Sequence, residues 1–244
     1  MPPDFVQASQ APVYDSMDDA LDDWKLRGYC FIRQSESLPD LRSVITRFFD
    51  MEQSAKLGFH EKADRYPTGY QDRIDEYDKE LFIARRTGTL WPSEDFRDVA
   101  LRSLEHLEAI AWEASGVRGG PGTSLTCIRY LARQQITHTP YHTDVGLVTV
   151  IEPSSIPGLS IWDPVVATWV QGQADNALTI LAGETLQALG GPLAAVHQVR
   201  CNSPRLAIVL QVHAEEELRI GDSSAAEFVR RVSASRTSSN QQRS

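Results

Sequence analysis

The sequence predicts a mainly β protein with flanking helices, its strands forming a sandwich or barrel behind a helical N-terminal part. Three observations carry this. Up to about residue 116, apolar residues recur at helical spacing between caps. After Gly119-Gly120-Pro121-Gly122 the texture changes to short runs rich in Val, Ile, Leu, Thr and Trp, broken by Pro, Gly, Asn and Asp. A length of 244 residues with 41% apolar content suits a single domain with a sizeable core. The expected organisation is one domain over 1–244, helical over about 16–120 and β over about 121–213.

In order, Ser16 is a plausible cap for a first helix with Asp18 and Asp19 in its first turn, Met17, Leu21 and Trp24 on one face, and Gly28 at its end. Tyr29-Cys30-Phe31-Ile32 reads as a short buried strand. A second helix is expected from about Asp40 to Met51, with Leu41, Val44, Ile45 and Phe48 inward. A third runs from about Arg97 to Ala114 on Leu101, Leu104, Leu107, Ile110 and Ala111, closed by Gly116. Strands follow at about 124–131, 145–151, 158–162, 166–170, 177–182, 193–200 and 205–212, with one helical turn near 184–188. Seven or more short strands at this spacing indicate a sandwich or barrel, not a parallel sheet. The tail 233–244, rich in Ser, Arg and Gln, is expected to be disordered.

A net charge of -9 disfavours non-specific binding to nucleic acid or to an anionic membrane. No run approaches the roughly 20 apolar residues of a membrane span. The start, Met1-Pro2-Pro3-Asp4, lacks the basic and apolar segments of a secretory signal. Cys30, Cys127 and Cys201, odd in number and far apart, fit buried reduced thiols better than a disulfide framework. A soluble, cytoplasmic protein whose partner is a small molecule is expected; oligomeric state is not encoded legibly.

The chemistry concentrates in Tyr141-His142-Thr143-Asp144, answered by His197 in Ala195-Val196-His197-Gln198-Val199 and then by Arg205. Two imidazoles and a carboxylate are the ligand set of a non-haem Fe(II) site with open coordination positions. If His142 and Asp144 lie on one strand, both project from the same face and can reach one metal. His197 lies in an apolar run where a solvated histidine would be out of place; it is either a buried structural residue or the second imidazole, and the upstream pair favours the latter. Among the other histidines, His138 competes most closely, but Pro140 between it and His142 breaks the helix that an i, i+4 metal motif needs. His60, His106 and His213 read as surface residues. No cysteine is spaced to complete a closed zinc site. In 205–212, Arg205, Ala207, Val209 and Gln211 share one strand face, of the mixed character expected for a polar cavity. Arg205 is either a carboxylate anchor there or an exposed arginine after Ser203-Pro204.

These segments resemble the isopenicillin N synthase-like family of Fe(II)/2-oxoglutarate-dependent oxygenases. His142-Thr143-Asp144-Val145-Gly146-Leu147-Val148-Thr149-Val150 is similar to the family's H-T-D-x-G-L-x-T-x segment, Pro157-Gly158-Leu159-Ser160-Ile161 to its G-G-L-Q-V strand, and Gly183-Glu184-Thr185-Leu186-Gln187 to G-D-x-L-Q. Shorter echoes at Arg27-Gly28-Tyr29-Cys30-Phe31-Ile32, Phe48-Phe49-Asp50-Met51, Asp78-Lys79-Glu80-Leu81-Phe82 and Trp91-Pro92 extend it over about residues 16–213. The resemblance implies a double-stranded β-helix, a cupin-like jelly-roll, wrapped by N-terminal helices. It implies His142, Asp144 and His197 as iron ligands, Arg205 as carboxylate anchor, and Tyr130 as either a second anchor or a core tyrosine.

The cofactors so implied are Fe(II), 2-oxoglutarate and O2, and the activity is hydroxylation, desaturation or ring closure of a small metabolite, in specialised biosynthesis. Asp144 sets the chain apart from halogenases, which carry a small residue there. Three departures stand out. Ala207 replaces the serine usual two residues after the arginine, the His197 to Arg205 gap is 8 residues, and Gln198 stands where arginine is common. Ala207 keeps open an Fe(II) oxidase that uses no 2-oxoglutarate, like isopenicillin N synthase itself; a non-catalytic jelly-roll binding protein is the further alternative. Tyr70, Arg85 and Arg86 are candidates for substrate contact.

Overall fold

The computed structural model describes residues 12–34, 40–61, 66–134, 138–174 and 176–241; the N-terminal four residues read above lie outside them. The chain begins with β1 (Val13–Tyr14), α1 (Met17–Arg27), β2 (Tyr29–Arg33), α2 (Leu41–Phe49), α3 (Gln53–Leu57) and β3 (His60–Glu61). β4 (Thr68–Arg73), the single turn α4 (Ile74–Tyr77), β5 (Lys79–Ala84) and the long α5 (Glu94–Ser115) follow. Then come β6 (Ser124–Tyr130), β7 (Thr139–His142), β8 (Val148–Ile151), β9 (Leu159–Asp163), β10 (Thr168–Gln171), β11 (Ala177–Ala182), α6 (Glu184–Ala188), β12 (His197–Val199) and β13 (Arg205–Val212). The chain closes with β14 (Arg219–Ile220), β15 (Ser223–Ser224) and α7 (Ala225–Gln241).

Eight consecutive strands make the jelly-roll. β6, β8, β11 and β13 lie in one sheet in the order β11-β8-β13-β6, while β7, β9, β10 and β12 form a second in the order β10-β9-β12-β7. The chain therefore crosses between sheets repeatedly, which is the expected double-stranded β-helix. The larger sheet is extended on one side by β2 and β1 and on the other by β5, β4 and β3, to nine strands.

Residues facing away from the smaller sheet pack under α1, α2 and α5. Leu104 and Leu107 of α5, Phe48 and Phe49 of α2, and Ile180, Ile208 and Leu210 of the sheet are all buried there; each such side chain contributes roughly 1.5 to 3 kcal/mol of transfer free energy. A second, smaller cluster including Phe31, Ile161, Leu159 and Leu181 fills the space between the sheets.

Local signals explain the helix ends. Ser16 accepts from Asp19 N, Asp40 from Ser43 N and Ser93 from Phe96 N, while Gly28 and Gly116 close α1 and α5 with φ of 74° and 67°. The buried face of α1 is Met17, Ala20 and Trp24, whereas Leu21, expected inward, is exposed.

Two larger differences separate sequence expectation from structure. The first half is not mostly helical: β4 and β5 join the main sheet. β5 carries Lys79 and Glu80, which do not look like strand residues, because Glu80 is buried and receives hydrogen bonds from Lys56 Nζ (2.6 Å) and Tyr70 Oη (2.8 Å), with Arg129 also bound to it. A buried carboxylate is tolerable only with such partners. Likewise, the region expected to be disordered from Ser233 is helical as far as Gln241. Ser224 and Glu227 form a reciprocal capping box, Ser224 N donating to Glu227 Oε2 (2.8 Å) and Glu227 N to Ser224 Oγ (3.3 Å), and a helix so nucleated propagates into polar residues. Residues 242–244 lie outside the described residues.

Candidate metal centre and its cavity

His142 ends β7 and His197 begins β12, and the two are direct partners across that antiparallel pair. Their rings stand 4.2 Å apart at 51°. Asp144 is not on the strand with His142, as expected from the i, i+2 spacing, but in the turn that carries the chain from the smaller sheet to β8 in the larger one. It still returns to the histidines, its carboxylate oxygens lying 3.5 Å from His142 Nε2 and 3.7 Å from His197 Nε2. One ligand atom from each of the three residues falls within 4.8 Å of the others.

The turn is held from below by α6. Glu184 N donates to Asp144 O (2.8 Å), Thr185 N to Gly146 O (3.1 Å), and Thr185 Oγ1 to Val145 O (2.6 Å). The approach is so close that a Cβ at Gly183 would lie 2.1 Å from Gly146 O, and one at Gly146 would lie 2.5 Å from Val212 O. Thr149, from β8, donates its hydroxyl to Asp144 Oδ2. Thus the Gly183-Glu184-Thr185-Leu186-Gln187 segment acts as a clamp on the carboxylate's backbone.

The histidine protons are placed by their neighbours. Nδ1 of His142 is 2.8 Å from Pro140 O and Nδ1 of His197 is 3.0 Å from Ala195 O. A carbonyl only accepts, so Nδ1 carries hydrogen in both rings and Nε2, in the neutral imidazole, presents a lone pair. Burial pushes the His197 pKa down, against the opposing pull of Asp144. Burial would raise Asp144, but His197 and His142 outweigh it and hold the carboxyl well below the usual range. A proton on Nε2 facing the Asp144 carboxylate is what holds its pKa down, and a divalent cation at the centre would take that proton's place and bind both Nε2 atoms and the carboxylate together.

The three residues border a cavity of about 240 Å³ between the sheets. Its floor is the inner face of the larger sheet, in rows fixed by register: Lys79, Tyr130 and Arg205, then Leu81, Ile128 and Ala207, then Ile83, Thr126 and Val209. The face Arg205, Ala207, Val209 and Gln211 lines the cavity, as the alternation in β13 predicts. Arg205 is buried, its guanidinium 5.7 Å from the Tyr130 ring, and Nε donates to Ile156 O (3.2 Å). Gln173, with its amide turned to match its neighbours, accepts from Arg205 Nη2 (2.9 Å) and donates to the same carbonyl (3.2 Å). Burial pushes the Tyr130 phenol up to about 12, against the lowering pull of Arg205.

Sequence reasoning missed Thr149, Gln173 and Lys79 as members of this site. The alternation in β8 and β5 could have found the first and last; Gln173, in the connection before β11, carries no such signal.

The remaining candidates are placed elsewhere. His138 is fully buried beneath Tyr130, 3.6 Å from Asp78, and accepts at Nδ1 from Cys201 N (3.3 Å); it packs and does not join the cluster. His60 bonds Tyr70 O from β3, and His106 lies on α5. His213 is half-buried, not on the open surface, and burial and then Arg85 lower its pKa. Gln198 alternates away from the His197 face. Of the substrate candidates, Tyr70 lies in the core on Glu80, and exposed Arg86 pairs with Glu105 and Glu108 of α5; neither borders the cavity. Arg85 is buried and donates to Gly122 O.

No family model and no curated protein matches the chain. Solved structures share its fold. The chain is similar to a full-length Neurospora crassa protein solved in complex with alpha-KG and thymine (16% identity, 94% of this chain and 99% of that one, TM-score 0.73). It is also similar to the dioxygenase for auxin oxidation of rice (17% identity, 93% and 96%, TM-score 0.71). A third is dioxygenase for auxin oxidation 1 of Arabidopsis thaliana in its 2-oxoglutarate complex (15% identity, 90% and 97%, TM-score 0.69). The jelly-roll with wrapped helices is thus a fold that this chain shares with these solved proteins.

Proposed function

We propose that this protein is an Fe(II)- and 2-oxoglutarate-dependent oxygenase of a small molecule. The observation that carries the reading is the pair of Nε2 atoms turned onto the Asp144 carboxylate at the rim of a cation-lined cavity. His142, Asp144 and His197 would hold the metal on one face and leave the cavity side open. Iron so held supplies O2 activation, coupled to oxidative decarboxylation of 2-oxoglutarate to succinate and removal of hydrogen from the substrate.

The chain's own residues do the rest. The carbonyls of Pro140 and Ala195 keep both rings in the ligating tautomer, and Thr149 with the α6 clamp aims the carboxylate. Arg205 presents a guanidinium, itself fixed by Ile156 O and Gln173, to a carboxylate of the cosubstrate, with the Tyr130 phenol beside it. Leu159, Ile151 and Val209 narrow the cavity and exclude water.

Succinate formation from 2-oxoglutarate with Fe(II), ascorbate and O2 tests the proposal. Arg205→Ala is expected to abolish cosubstrate binding while metal stays bound. A second reading rests on Ala207, which offers no hydroxyl to a distal carboxylate: an Fe(II) oxidase in which Arg205 grips the substrate. Oxygen consumption on Fe(II) alone, with no succinate and no 2-oxoglutarate binding, would select it.

A further inference from the structure

The floor of the cavity ends in a row that holds two cations. Register places Lys79 of β5, Tyr130 of β6 and Arg205 of β13 side by side, and all three border the cavity. Lys79 Nζ lies 5.8 Å from the centre of the Tyr130 ring, and the Arg205 guanidinium 5.7 Å from the same centre. Thr139, reaching in from β7, accepts from Lys79 Nζ (3.0 Å), and its hydroxyl also bonds the Tyr130 phenol. Lys79 donates in addition to His138 O (3.2 Å). Among the described residues neither Lys79 nor Arg205 has an ion-pair partner, and the only carboxylate bordering the cavity is Asp144, at the metal end. A buried guanidinium and a half-buried ammonium facing one cavity without an anion are costly unless a ligand supplies the charge.

We infer that Lys79, positioned by Thr139, is the second ligand of the distal carboxylate of 2-oxoglutarate, taking the place of the hydroxyl that Ala207 lacks. This rests on the function proposed above. Tyr130 of β6 stands between Lys79 of β5 and Arg205 of β13, so a carboxylate held over the Tyr130 ring would have Arg205 on one side and Lys79 on the other, while Ala207, next inward-facing along β13, offers it no hydroxyl. Burial, with Arg73 adding to it, lowers the Lys79 pKa to about 8, which leaves the amine mostly charged at neutral pH, and a bound carboxylate would favour that form further. The ammonium has three donors, two of which are engaged by Thr139 and His138, so one remains to reach into the cavity.

The test is calorimetric titration of anaerobic Fe(II)-loaded protein with 2-oxoglutarate and with 2-oxobutanoate, which has the same chelating end but no distal carboxylate. Lys79→Met and Lys79→Gln are expected to weaken 2-oxoglutarate binding about tenfold or more, the range for losing one charge-assisted bond, and to leave 2-oxobutanoate binding unchanged. Ala207→Ser in the Lys79→Met background is expected to restore most of the loss. Unchanged 2-oxoglutarate affinity in both variants, or an equal loss for both ligands, would overturn the assignment of Lys79 while leaving the proposed function standing. Failure of the unaltered protein to bind 2-oxoglutarate at all would instead overturn the proposed function, and this assignment with it.

Discussion

Glu152 shows what one misplaced charge does to this fold. It follows β8, is buried, and has Oε1 without a hydrogen-bond partner among the described residues, while Arg42 approaches its other oxygen only to 3.5 Å. Burial outweighs Arg42 and pushes its pKa from 4.5 up to about 7. A carboxyl that holds its proton more tightly when folded favours the folded state fully below its unfolded pKa, and that contribution is lost as pH rises through the folded value. Stability should therefore decline between about pH 4.5 and 7, by on the order of 3 kcal/mol from this group alone. Glu152→Gln is expected to remove that part of the slope and to be the more stable protein at about pH 8. Urea denaturation at about pH 5 and about pH 8, on either side of that window, checks this; parallel losses in the two proteins would disprove it. The candidate metal ligands respond to other forces. His142 and His197 could be picked out by spacing and apolar context, yet their tautomers depend on Pro140 O and Ala195 O, whose positions only the folded turn fixes.

At the scale of elements, the contact between α6 and the 143–147 turn decides whether the carboxylate is in place. Gly183 has an ordinary φ of -102°, so alanine there costs nothing in backbone conformation; its cost is the 2.1 Å approach to Gly146 O. Gly183→Ala is expected to displace the turn, costing roughly 1 to 3 kcal/mol of stability and weakening metal binding at least about tenfold. Gly190→Ala, at a φ of 90° with nothing within 4 Å, should strain the backbone without touching metal affinity. Metal titration of both variants separates the two effects. Elements whose burial follows a simple period were legible beforehand: β11, α6 and β13 fall at the expected residues, and Ser16, Gly28 and Gly116 mark helix ends through caps. β4 and β5 were not, because their charges are satisfied by partners distant in sequence, Lys56 and Arg129 around Glu80. β7 was hidden for a related reason. It has four residues, one of them Pro140, and exists to pair with β12.

The whole molecule couples these parts, because the three candidate ligands belong to different pieces of the jelly-roll. His142 and His197 close the β7–β12 pair of the smaller sheet, and Asp144 sits in the turn that leads into the larger one. A cation bound by all three would tie the sheets together at one rim of the cavity, adding to the Lys79–Thr139 bond and the small cluster around Leu159 and Ile161. A ligand that binds the folded state alone stabilises it by about 2.7 kcal/mol at a free concentration about 100 times its Kd. For a chain of this length that corresponds to a rise in Tm of roughly 5 to 11 °C. Anaerobic Fe(II), or a redox-inert divalent ion in its place, should therefore raise Tm by that amount in the unaltered protein and leave Asp144→Ala unmoved. The protection should also be local. Amide exchange should slow at β7, the 143–147 turn and β12, while α5, packed on the far face of the larger sheet, keeps its rate. Uniform slowing across the molecule, or an equal Tm rise in Asp144→Ala, would show that the ion acts elsewhere and that the three residues do not form its site.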